Sequence, residues 1–116
     1  MAENYLTDAS FDAFMHKPGL SIIVFTAAWC APCADIKKVL PTLQAETSDL
    51  EVAYVDIEQE PELAAAFSVQ SVPFVMVVRD EVVLFADSGS LPLQSLRELV
   101  AQAQALDINS IKQQES

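Results

Sequence analysis

The sequence predicts an α/β layered fold built around a mixed central sheet, and three observations predict it. Apolar, β-branched runs at residues 20–26, 52–57 and 74–78 alternate with segments whose apolar residues recur at helical spacing, the pattern of strands joined by crossover helices. A fourth apolar run, 82–85, follows the third after a short polar turn and leads into a last helical segment. A strand that returns so soon pairs antiparallel with its predecessor, which makes the sheet mixed. Finally, Leu20-Ser21-Ile22-Ile23-Val24-Phe25-Thr26 shows little alternation, as suits a strand buried on both faces at the centre of the sheet.

Taken in order, Tyr5-Leu6 reads as a short edge strand. Thr7 or Asp8 can N-cap a first helix that carries Phe11, Phe14 and Met15 on one face, and Lys17-Pro18-Gly19 ends it. His16, at the end of that helix, reads as a surface histidine in a place that favours positive charge. After the central strand, Ile36, Leu40 and Leu43 mark the buried stripe of a second helix, in which Pro41 removes the hydrogen bond to the Lys37 carbonyl and predicts a kink. The acidic stretch Glu58-Gln59-Glu60-Pro61-Glu62 opens a short helix, with proline near its first position, acids at its positive end, and Leu63, Ala66 and Phe67 on its buried face. Arg79-Asp80-Glu81 contains no glycine, and tight hairpins demand positive φ, so a loose or bulged connection is expected there. Pro92 starts a last helix with Leu93, Leu96, Val100 and Ala103 on one face. Residues 107–116 read as a partly ordered C-terminal extension of a domain spanning 1–106.

The bulk properties exclude several classes. A chain of 116 residues, 52% apolar and 20% charged, forms one domain with a real core and is not disordered. Its net charge of −11 with six Lys and Arg argues against nucleic-acid binding. No apolar run is long enough to span a bilayer, and Met1-Ala2-Glu3-Asn4 lacks the basic and apolar regions of a signal peptide. The expected location is therefore the cytoplasm, where a paired-cysteine motif is catalytic more often than structural.

Such a pair is present. Trp29-Cys30-Ala31-Pro32-Cys33 holds both cysteines of the chain, three positions apart, where the central strand ends and the second helix begins. The first turn of a helix has unpaired N–H groups and partial positive charge, both favouring a thiolate, and a thiolate is the nucleophilic form of cysteine. Pro32 stiffens the turn without losing a needed hydrogen bond. Two sulfurs at this spacing can also close on each other, so that one resolves a mixed disulfide formed by the other. A purely structural disulfide across so short a loop would add only about 2 kcal/mol. Structural zinc normally takes four ligands, and only His16 remains to join the cysteines. Two inert core cysteines would not come with a flanking tryptophan and an intervening proline. Redox chemistry is the reading that survives.

The same residues carry a resemblance. Trp-Cys-Ala-Pro-Cys differs by one residue from the Trp-Cys-Gly-Pro-Cys of the thioredoxins, and Val72-Pro73 before a strand and Ser88-Gly89 before the last helix extend the match from about residue 5 to residue 106. The resemblance implies the thioredoxin fold, a mixed sheet of four to five strands flanked by helices on both faces. It implies a thiol–disulfide oxidoreductase that reduces protein disulfides, with Cys30 attacking and Cys33 resolving, and no cofactor or metal beyond the redox-active Cys30–Cys33 disulfide. Trp29, Ala31 and Pro32 complete the active-site motif, and Val72, Pro73 and Gly89 match the substrate-facing rim. The resemblance also implies a cis Val72–Pro73 bond, where the residues alone allow a trans proline that merely starts a strand. Disulfide-containing proteins would be the substrates and a thioredoxin reductase the electron donor of a monomer with no nucleic-acid or membrane partner.

The chain departs from the family pattern in places that matter. The buried Asp of thioredoxins, six residues before the first cysteine, is Val24 here; its companion Lys is Tyr54; and the basic residue after the second cysteine is Ala34, followed by Asp35. Loss of the carboxylate favours the thiolate, whereas loss of the Lys and the presence of Asp35 oppose it. These departures keep two other readings open: an oxidant or isomerase with a specialised partner, and a redox-weak binding module.

Overall fold

The computed structural model describes residues 4–106; the C-terminal extension read at 107–116 lies outside the described residues. The element order is α1 (Asp8–Met15), β1 (Leu20–Thr26), α2 (Ala31–Glu46), β2 (Glu51–Asp56), α3 (Pro61–Ala66), β3 (Phe74–Arg79), β4 (Val82–Ser88) and α4 (Leu93–Ala105). The four strands lie in the order β2-β1-β3-β4. β1 runs parallel to β2 and antiparallel to β3, and β3 pairs antiparallel with β4. The expected edge strand contributes a single parallel bridge, Tyr5 to Tyr54, held by the Leu6 N–H to the Tyr54 carbonyl and the Tyr54 N–H to the Asn4 carbonyl, each 2.8 Å.

All seven residues of β1 are buried, because helices cover both faces. Leu20, Ile22 and Val24 pack with Ile36, Leu40 and Leu43 of α2 and with Leu96, Val100 and Ala103 of α4. Ile23 and Phe25 point the other way, into a cluster with Phe11 and Phe14 of α1. Phe67, just past α3, closes that cluster with ring centroids 5.3 Å from Phe11 and 5.8 Å from Phe25. The expected buried face of α3 needs one correction. Leu63 and Phe67 face the core, but Ala66 is exposed, since a six-residue helix at the rim turns only a narrow stripe inward.

Local chemistry explains the ends of the elements. Thr7 N-caps α1 in a reciprocal box: the Ser10 N–H donates to Thr7 Oγ1 and the Thr7 N–H donates to Ser10 Oγ. His16 ends the helix with its Nδ1–H donating to the Asp12 carbonyl at 2.7 Å. That bond, the Asp12 carboxylate and more distantly Glu81 hold its pKa above the ordinary 6.5. α2 continues through Pro41 to Glu46 as one helix.

The β3–β4 turn differs from expectation. Arg79 pairs with Val82, so the connection is a tight pair, Asp80-Glu81, with φ of 48° and 73°. The strain of two non-glycine residues at positive φ is offset at Asp80. Its Oδ1 accepts from the Gly19 N–H at 2.7 Å, and its own N–H donates to the Gly19 carbonyl at 3.0 Å. The irregularity sits inside the ladder instead: Val77 pairs with Phe85 and Val78 with Val83, which leaves Leu84 as the extra residue of a bulge.

Arg79 has a task its sequence position did not reveal. Its Nη1 donates to the carbonyls of Ala103, Gln104 and Leu106 at 2.7–2.9 Å, which satisfies the open end of α4 and places a cation at its negative pole. Arg79→Ala is expected to lower stability by about 1–2 kcal/mol, with Arg79→Lys recovering part of the loss. A urea-denaturation midpoint left unchanged by both substitutions would mean that solvent serves those carbonyls equally well.

Candidate active site

β1 emerges from the core at Thr26, and α2 begins at Ala31 after four intervening residues, so that segment is held at both ends. The Cys30 N–H donates to the Ala27 carbonyl at 3.1 Å, closing a turn. Cys30 is extended (φ −87°, ψ 105°) and serves as the N-cap of α2: its Sγ accepts from the Cys33 N–H at 3.2 Å. The sulfur thus takes the role usually filled by a Ser or Asp oxygen, at the helix end where negative charge is stabilised. Ala31 and Pro32, the first two helical residues, are exposed and need no intrahelical partner for their nitrogens.

Cys30 and Cys33 are joined as a disulfide with Cα atoms 5.3 Å apart. Their burial is unequal: Cys30 is 7% exposed and Cys33 1%. Trp29 is 67% exposed beside them. Ala27, Cys30 and Cys33 form their own small cluster, and Ile57 and Val72 pack against it. The Val72–Pro73 peptide bond is cis. The Pro73 carbonyl accepts from the Gly89 N–H at 2.8 Å, and Gly89 has φ +119°, a conformation that side chains rarely adopt. The structure therefore brings Cys30, Cys33 and Val72 into contact, ties Gly89 to them through Pro73, and leaves Trp29, Ala31 and Pro32 on the open side.

Position 24, where the family pattern carries a carboxylate, is apolar here. Val24 is fully buried, in register with Tyr54 on one side and Val75 on the other. Tyr54 is buried as well, and the ammonium of Lys37 lies 5.3 Å from its ring and 5.1 Å from that of Tyr5. Lys37 also donates to the Tyr5 hydroxyl. A cation thus reaches this corner from α2 rather than from β2. Asp35 is exposed on the first turns of α2. Sequence reasoning missed Ala27 and Ile57 as neighbours of the site, because their placement depends on how the loops after β1 and β2 converge. It also passed over Thr26, although alternation along β1 was enough to put that hydroxyl on the helix α2 side.

Comparison with known proteins agrees with this geometry. The thioredoxin family model matches residues 3–102. The chain belongs to the thioredoxin family. It is 36% identical over 107 residues to a putative thioredoxin 2 of Streptomyces coelicolor, covering 92% of this chain and 80% of that protein. It is also 36% identical over 95 residues to the thioredoxin of Bacillus subtilis, covering 81% and 90%. Among solved structures, a mutant thioredoxin from Halobacterium salinarum superposes with a TM-score of 0.80 at 26% identity, over 92% of this chain and 98% of that one. The fold is the thioredoxin fold, and the protein is a thiol–disulfide oxidoreductase with a Cys-x-x-Cys site. Among the described residues, no group of three His, Cys, Asp or Glu side chains could hold a metal ion, and no helix is long and apolar enough to cross a membrane.

Titrating the native protein before and after reduction checks the pairing. Two thiols per chain are expected to appear on reduction and to disappear on mild oxidation. Persistence of both thiols after oxidation would show that the pair does not cycle.

Proposed function

We propose that the protein reduces disulfides of other proteins, with Cys30 as the attacking thiolate and Cys33 as the resolving thiol. The unequal burial of the two sulfurs at the tip of α2 carries this reading: the N-cap sulfur is the one nearer solvent. In the first step the Cys30 thiolate attacks one sulfur of a substrate disulfide, forming a mixed disulfide and releasing the other sulfur as a thiolate. Cys33 then attacks Cys30, the mixed disulfide breaks, and the second substrate sulfur leaves. The substrate gains two electrons, and Cys30–Cys33 is left oxidised.

Trp29, Ala31, Pro32, Val72, Pro73 and Gly89 would form the rim against which an extended substrate segment lies, the Val72 backbone pairing with it as an edge strand does. A thioredoxin reductase would return the pair to the dithiol, and the protein would work as a cytoplasmic monomer. Insulin reduction tests the activity, first with dithiothreitol as reductant and then with a thioredoxin reductase. Catalysis in both arms is expected, and absence of turnover in the first would overturn the proposal. The division of labour has its own readout: Cys33→Ser should accumulate a mixed disulfide with substrate on non-reducing gels, and Cys30→Ser should not. Equal trapping by the two variants contradicts the assignment.

Resolution needs Cys33 to lose its proton while Cys30 is occupied, and Val24 offers no acceptor. Val24→Asp is expected to speed mixed-disulfide decay in single-turnover experiments. The same change should cost about 1–3 kcal/mol of stability, because it places a carboxyl in a strand with no polar partner. Decay no faster than wild type from neutral to mildly alkaline pH would show that another group already does this work.

A further inference from the structure

Among the described residues, the hydroxyl Oγ1 of Thr26 is a buried side-chain oxygen without a hydrogen-bond partner, and the residue is only 1% exposed. A buried hydroxyl without a partner destabilises a fold, and a valine of the same shape would remove that cost. The position of this hydroxyl says what it is for. Leu20, Ile22 and Val24 pack against Ile36, Leu40 and Leu43 of α2, whereas Ile23 and Phe25 face the opposite cluster. Thr26 continues the first series by the two-residue alternation of a strand. α2 starts at this same end of β1 and packs on that face through Ile36, Leu40 and Leu43, so Cys33, one turn before Ile36, belongs to the Thr26 end of the face. Ala27, the next residue, packs directly with both cysteines.

While Cys33 is bonded to Cys30, its sulfur carries neither a proton nor a charge. In the mixed disulfide it is separate, first as a thiol and then as a thiolate, and a neighbouring hydroxyl then has a partner worth having. We propose that Thr26 is a positioning residue for the resolving step: its Oγ1–H, directly or through one water, donates to the Cys33 thiolate and favours that form. Donation to an anion is among the stronger hydrogen bonds, and it shifts the equilibrium toward the charged state. The proposal rests on the assignment of Cys33 as the resolving thiol.

The step balances without any added reactant. Cys33 gives its proton to solvent, and the thiolate attacks Cys30 Sγ. The Cys30–Cys33 bond forms and the Cys30–substrate bond breaks. The departing electron pair leaves on the substrate sulfur, which takes a proton from solvent. Thr26 keeps its own proton throughout.

Other charged and titratable groups surround this corner. From α2 come Asp35, which is exposed, and Lys37, held at the rings of Tyr5 and Tyr54. From β2 come Tyr54, beside Val24, and Asp56, the register partner of Thr26, whose Oδ1 accepts from the N–H groups of Glu58 and Gln59. Glu58 itself is exposed in the following loop, Glu60 accepts from the Asp8 N–H, and Asp87 is exposed at the end of β4. Only Asp56 adjoins Thr26 in the ladder, so it is the control.

The test follows the reaction of the reduced protein with excess chromogenic aromatic disulfide. Release of the coloured thiolate has a first phase that depends on reagent concentration, reporting Cys30, and a second that does not, reporting attack by Cys33. If the hydroxyl contributes a tenfold gain in thiolate, its loss is partly offset by the greater nucleophilicity of a more basic sulfur, leaving about a threefold slower second phase near neutral pH. Thr26→Val is expected to show that slowing, with the midpoint of the pH–rate profile moved upward and the wild-type rate matched or exceeded at high pH. The first phase should be unchanged, Thr26→Ser should restore the wild-type profile, and Thr26→Ala, run in parallel, should move the midpoint as valine does. A purely structural role would leave the midpoint in place, and superimposed or uniformly slowed profiles in both Thr26→Val and Thr26→Ala overturn the proposal. So does a profile moved by Asp56→Asn and not by Thr26→Val. A second phase that survives Cys33→Ser refutes instead the assignment of the resolving thiol, and the two failures are thereby told apart.

Discussion

The burial of β1 on both faces is the constraint from which the rest of the molecule follows. A strand with seven consecutive buried residues must have hydrogen-bonding neighbours on both edges and apolar helices on both faces, since no part of its backbone or side chains can meet solvent. β2 and β3 supply the edges. α2 and α4 cover one face, and α1 with the residues around α3 covers the other. With β1 pinned this way, the chain has one exit at Thr26 and must turn at once into α2. The cysteines occupy that turn, so their geometry is inherited from the most rigid element of the fold rather than from a mobile loop.

Much of this was legible in the residues. The unalternating run 20–26 gave the central strand because burial on two faces removes the polar phase from the pattern, and the stripe Ile36, Leu40, Leu43 gave α2 because its outer face stays solvated. The cysteine pair was legible for a different reason: spacing, a flanking tryptophan and an inserted proline form a local signature that needs no tertiary information. What failed was tertiary in origin. Asp80-Glu81 read as a poor tight turn because intrinsic φ preference counts against it, yet bonds to Gly19, sixty-one residues earlier in sequence, hold Asp80 there. Ala66 read as buried because helical spacing places it near Leu63, but α3 is too short and too peripheral to bury that side. No periodicity could have disclosed that Arg79 reaches across to the end of α4.

The two ends of the sheet are consequently built on different chemistry. At the end away from the cysteines, polar side chains fix the connections: Asp80 to Gly19, Arg79 to the α4 carbonyls, and His16 to its own helix. At the cysteine end, the contacts around the pair are mainly backbone and apolar: the Ala27 turn, the Gly89–Pro73 bond, and the packing of Ile57 and Val72 against the cluster of Ala27, Cys30 and Cys33. Such an arrangement leaves little polar competition for the hydrogen bond from the Cys33 N–H to the Cys30 sulfur. A sulfur at an N-cap is favoured as an anion by the same unpaired N–H groups that favour a carboxylate there.

That separation bears on how the chain can keep thiol–disulfide chemistry while lacking a carboxylate at position 24 and a lysine at position 54. The placement of the two sulfurs depends directly on the Ala27 turn and the first turn of α2, neither of which uses a side chain at either position. Exchange geometry and proton handling are therefore separable in this fold, the first written in the backbone and the second in a few buried side chains on the α2 face. Replacing a buried carboxylate with Val24 removes a desolvation cost from the centre of the core and leaves the sulfur positions intact. On the proposed division of labour it also leaves Cys33 dependent on whatever polar atom remains nearby. On this face of β1 the proposed atom is the Thr26 hydroxyl, two residues from Val24 at the end of the strand.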